Sequence, residues 1–279
     1  MKNKFGNKKE LDLQEKEREK FLEWLETARD KDDELFKLFS NSMVIVFESI
    51  KDSPMKQSLQ ALLNLLWRMN SIKLGIFDEC ENDNMITAKA LYIIMMEHWI
   101  KANYIFARLT SEKTDTVGQE YNTFCSFDED VKYGNSLKWL LEILSSQESK
   151  KDPWDLLIKH RADLGKYSKE EIKKKSQQFN YREMVAYLLK NVTYAKNSFI
   201  EMIIPEYSEL SSYIHGGPNG MSEMVSLSKY RFKEYKGMIR FTFNIHKINT
   251  FTSYSAFAQF SNKDFWHIVV AIKATPWIE

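Results

Sequence analysis

Turn-forming residues are scarce in this chain: 9 glycines and 5 prolines serve 279 positions. A β-sandwich or barrel needs a turn about every 8–12 residues, so the scarcity points to long helices instead. With 43% hydrophobic and 28% charged residues, the chain has enough apolar material to fill a sizeable core.

Periodicity agrees. Residues 9–30 read as a charged helix with a thin apolar seam of Leu11, Phe21, Leu22 and Leu25. Phe36, Phe39, Met43, Phe47 and Ile50 then recur at helical spacing. Ser53 suits an N-cap and Pro54 a first helical position, after which Leu59, Leu62, Leu63, Leu66 and Met69 keep the period. Asn82, Asp83 and Asn84 offer caps for a helix from Met85 to Leu109, whose ALYIIMM run is apolar on every side and belongs at the centre of a bundle.

Two shorter helices are expected around 121–131 and 137–146. A capping-box match at Ser168–Glu171 precedes a third, and helices near 182–190 and 194–215 follow. Pro205 either kinks the last of these or begins a new one. Gly216, Gly217 and Pro218 are the strongest stop signal in the chain. IRFTFNI (239–245) alternates like a strand, but a lone strand has no partner here, so it is read as helix.

The expected fold is all-α, a multi-helix bundle. It has an N-terminal charged helical region (1–52), a helical core (53–220) and a C-terminal helical region packed on that core (221–279). The N-terminal 30 residues, highly charged, are expected to be an exposed arm or an oligomer contact.

Charge is balanced, with 40 Lys+Arg against 39 Asp+Glu, which gives nucleic-acid binding no global support. Residues 150–175 are locally basic; they read as a solvated helix face, with a phosphate-binding surface as the alternative. Met1 to Glu34 contain no apolar signal-peptide core. The run from Met85 to Leu109 carries Lys89, Glu97, His98, Lys101 and Arg108, so it fails as a membrane span. Cys80 and Cys125 have no metal-type spacing. Cytoplasm is the expected location. No phosphate-binding glycine loop, zinc motif or dinucleotide fingerprint is present, and no cofactor or metal is expected.

Two segments could carry chemistry. In YSELSSYIHGG, Tyr207, Ser211 and His215 lie four residues apart and line one helix face. A hydroxyl one turn before an imidazole can fix its tautomer, a start for acid–base chemistry or anion capture. The same three residues would serve equally as a helix-terminal histidine, its cap and a half-buried tyrosine. Glu97 follows an apolar run and must pair, protonate or face a cavity; Lys101, one turn on, is its ordinary partner.

The segments 86–106 and 207–217 together resemble an uncharacterised bacterial family of helical proteins, a domain of unknown function. That family pairs a Glu-bearing apolar helix with a later Tyr-x3-Ser-x3-His-Gly signature, matched here by Glu97, Tyr207, Ser211 and His215. The family often has an arginine one turn before the glutamate, where this chain has Ile93 and Ile94. Such proteins also look distantly like HEPN-type domains, many of them metal-independent ribonucleases with an Arg-x4–6-His signature. Arg240 and His246 match that spacing, although six residues along a continuous helix set them about 120° apart.

The resemblance implies an interaction or regulatory component of a bacterial defence or stress module, with a protein partner or a second copy of the chain. The alternative is a HEPN-like endoribonuclease, a toxin or antiphage effector acting on RNA. In that reading Arg240 and His246, or His215, activate a ribose hydroxyl.

Overall fold

The computed structural model describes residues 8–144, 150–192, 199–214 and 230–278. Every regular element among them is helical: α1 (Lys8–Lys51), α2 (Lys56–Glu81), α3 (Met85–Glu112), α4 (Thr116–Phe124), α5 (Phe127–Ile143), α6 (Pro153–His160), α7 (Lys169–Gln177), α8 (Tyr181–Asn191), α9 (Phe199–Ile214), α10 (Arg231–Phe260) and α11 (Trp266–Ala274). A 3₁₀ turn, Ala162–Lys166, separates α6 from α7. The all-α bundle is therefore observed.

The N-terminal region departs from expectation. The two stripes read over 9–30 and 36–50 fuse into one helix of 44 residues. Phe21, Leu25, Ala28, Asp32, Leu35, Phe39, Ser42, Val46 and Ser49 are all buried. Their spacing alternates four and three, the 3.5-residue period of a coiled-coil seam. From Phe21 onward α1 is core, not an arm. Phe47, expected inside, is half exposed, whereas the polar Asp32 and Ser42 are inside.

α1 packs on α2, α10 and α11, and α3 sits among α2, α4, α8, α9 and α10. One continuous hydrophobic cluster links Phe21, Leu59, Met96, Val185, Ile203 and Phe243 from six different helices. Asn84 caps α3 by accepting from the Thr87 amide at 3.4 Å, one of the three caps expected there. α2 begins two residues later than the sequence implies: Ser53 accepts from the Met55 amide at 3.0 Å and donates to the Phe260 carbonyl at 2.6 Å. The first amides of α2 are also held by Asp115, just before α4, at 2.9 and 2.8 Å.

The helices expected over 121–131 and 137–146 divide differently, with the break at Cys125 and Ser126. The Ser168–Glu171 capping box forms with both of its hydrogen bonds. Pro205 lies inside α9. Residues 239–245 are helical within α10: Ile239, Phe243 and Ile245 are fully buried, and Phe241 meets Tyr92 edge to face at 5.4 Å. Among the described residues no helix is long and apolar enough to cross a membrane. The stop signal at 216–218 lies outside the described residues.

Candidate functional site

Three helices converge on Glu97. On α9, Ile200, Ile203 and Leu210 are buried, and Tyr207 falls on the same stripe at helical spacing. On α8 the buried residues are Met184, Val185 and Leu188; Tyr181, three before Met184, continues their face. These two faces bring the rings of Tyr181 and Tyr207 into a stack, centroids 4.2 Å apart and planes 14° off parallel. α3 supplies the half-buried Glu97, and the Tyr207 hydroxyl donates to its Oε1 at 2.7 Å across 110 residues of sequence.

The phenols are held neutral. Burial, then the hydrogen bond to Glu97 and its charge, pushes the Tyr207 hydroxyl up to about 12. Tyr181 is pushed further in the same direction by burial and then by Tyr207 and Glu97. Its hydroxyl oxygen is buried and has no hydrogen-bond partner among the described residues.

A second tie runs beside the first with the roles of the helices exchanged. Tyr92 of α3 is hydrogen-bonded to Glu206 of α9, and both groups are pushed up, chiefly by burial. The buried Lys89, one turn before Tyr92, meets Glu234 of α10 at 2.6 Å. The seam between α3, α9 and α10 is therefore polar, crossed among the described residues by the two tyrosine–glutamate pairs and by the Lys89–Glu234 ion pair.

Of the residues singled out in the sequence, Glu97 and Tyr207 are brought into direct contact. Ser211 lies on the same helix as Tyr207, one turn on; its side chain and the whole of His215 lie outside the described residues. The Arg240–His246 spacing does not make a pair. Arg240 is exposed, with its guanidinium 5.5 Å from the Trp24 ring centroid. His246 is fully buried on another face of α10, where burial and then Lys73 hold its imidazole well below the usual value. Its Nδ1 is 3.5 Å from Lys73 Nζ, and its Nε2 has no hydrogen-bond partner among the described residues.

Lys73 forms a buried ion pair with Asp32 of α1 and donates to Asn70 Oδ1 at 2.9 Å. Desolvation outweighs attraction in both partners, raising the carboxyl and lowering the amine. In the basic stretch Arg161 is tied to Asp130 and Asp163, and Lys175 approaches Glu120 at 3.7 Å. Among the described residues no His, Cys, Asp and Glu cluster could hold a metal ion.

Sequence reasoning passed over Tyr181, Tyr92, Glu206 and the Asp32–Lys73 pair. Tyr181 carried a usable signal, since it extends the buried stripe of α8, but nothing in that stripe names Tyr207 as its partner. Comparison of the chain with family models, with curated proteins and with solved structures finds no match.

Proposed function

We propose that this chain is a non-enzymatic interaction or regulatory component, and that the Glu97–Tyr207 tie holds α9 on the core. The observation that carries this reading is the hydrogen bond itself. Glu97 spends one oxygen on an internal phenol, and the phenol is neutral throughout the physiological range. Such a pair fixes geometry, and a phenol raised to about 12 is a poor general acid or base, whose pKa should lie near the working pH. The setting in a bacterial defence or stress module rests on the resemblance of residues 86–106 and 207–217 alone.

The ribonuclease alternative loses support from its first pair. A general base must reach the ribose hydroxyl, and His246 is fully buried while Arg240 points to solvent elsewhere. The experiment is incubation of purified protein with single-stranded RNA in EDTA. Intact RNA is the expected result. Cleavage that disappears in a folded His215→Ala or His246→Ala variant would overturn the non-enzymatic reading.

A further inference from the structure

At the C-terminal end of the fold, α10, α11 and the segment after α11 line a half-open cavity of about 340 Å³. Its lining is Lys247, Ile248, Phe251, Ile272, Lys273 and Trp277. That volume is at the low end of the roughly 300–1,000 Å³ typical of small-molecule sites. Lys31 of α1 helps to hold the wall in place, donating to the Trp277 carbonyl at 2.9 Å.

The unusual member is Lys247, which is 2% exposed. Its ammonium donates to the Thr275 carbonyl and lies 3.8 Å from the centroid of the Trp277 ring. Neither partner carries a formal charge, and desolvation draws the amine down from its usual value. A buried ammonium is costly unless an anion compensates it. Among the described residues the cavity lining offers none: its second charged residue is the exposed Lys273, and no carboxylate is among the described lining residues. The remaining surface is aliphatic and aromatic. Two cations of one sign beside an apolar wall select a ligand with an anionic head and a hydrophobic body.

We propose that this cavity binds a small amphipathic carboxylate, its head held by Lys247 and Lys273 and its body laid against Ile248, Phe251 and Ile272. Charge-assisted hydrogen bonds from the two ammonium groups supply the orientation, and the apolar walls supply burial. This site is separate from the α3–α9 seam and does not depend on its function.

Isothermal titration of the full chain with octanoate tests it, with octan-1-ol and acetate as the neutral and bodiless controls. Octanoate should bind saturably at one equivalent, and each control at least about tenfold more weakly. Lys247→Met should weaken octanoate by at least about tenfold. Should that variant lose its helical circular dichroism, Lys273→Glu, at the exposed rim, carries the same test and should weaken octanoate at least about fivefold. No saturable octanoate binding by the unmodified protein would overturn the proposal. So would equal affinity for octan-1-ol, or an affinity unchanged in a folded Lys247→Met or in Lys273→Glu.

Discussion

Replacing Lys73 by methionine should cost the fold about 3–5 kcal/mol, although methionine fills nearly the same space. Lys73 is fully buried and the side chain of Asp32 is 3% exposed, so the pair sits where water cannot stand in for a missing partner. Methionine keeps the aliphatic stem, which makes the cavity contribution small. The loss comes from stranding the Asp32 carboxylate, together with the hydrogen bond to Asn70.

Asp32 is already pushed above the ordinary carboxyl value, and without Lys73 it rises further. A folded pKa raised above the unfolded one gives stability that is full below the unfolded value, near 3.9, and is lost as pH rises through the folded value. The deficit of Lys73→Met should therefore shrink as the pH is lowered from neutrality toward about 4. Adding Asp32→Leu should recover most of it, since replacing a whole buried pair by apolar groups is often neutral or stabilising. Guanidinium unfolding followed by circular dichroism measures the single and the double variant against the unmodified chain. A Lys73→Met deficit below about 1 kcal/mol, or a double variant no more stable than the single, would refute this account of the pair.

Three further outcomes are expected. Deleting residues 1–30 removes Phe21, Leu25 and Ala28 from the core and should abolish cooperative unfolding, because truncating a buried phenylalanine alone costs about 3–5 kcal/mol; a melting temperature close to that of the full chain would show α1 to be dispensable. Gly118→Ala should destabilise by about 2–3 kcal/mol or more in the same denaturation assay, because the new Cβ would lie 2.1 Å from the Ser58 nitrogen and 2.4 Å from the Gln57 carbonyl carbon, both backbone atoms. Tyr207 is raised from near 10 to about 12, so its contribution is complete below pH 10 and fades between pH 10 and 12; across that window Tyr207→Phe should lose less stability than the unmodified chain, by urea titration at each pH.

Elements whose signals are local were legible in the sequence. The Met85 helix has Asn84 at its start and an apolar run wide enough to be surrounded, and the Ser168 box identifies itself by four residues. α1 was not legible as core because its seam is diluted: Asp32, Ser42 and Ser49 occupy buried positions that a hydrophobicity count scores as surface. Asp32 is inside only because Lys73, forty-one residues away, is there to meet it. The break between α4 and α5 falls at Cys125 and Ser126, where no glycine or proline announces it. Glu97 could be marked as a carboxylate in need of a partner, and Tyr207 as one of a row of polar residues. Their contact depends on how α3, α8 and α9 pack, and so does the stacking of Tyr181. The Arg240–His246 spacing shows the opposite failing, a sequence pattern that helix geometry divides between an exposed face and the core.

The account turns on the tie between Glu97 and Tyr207, and a double-mutant cycle measures that tie directly. Tyr207→Phe removes the donor and Glu97→Met the acceptor, each in a half-buried setting, so each single change should cost about 1–2 kcal/mol. Because the two lose the same 2.7 Å hydrogen bond, the pair together should cost less than the sum, with a coupling of about 1 kcal/mol in urea unfolding at neutral pH. Strict additivity of the two substitutions would mean that no such tie holds α9 to α3.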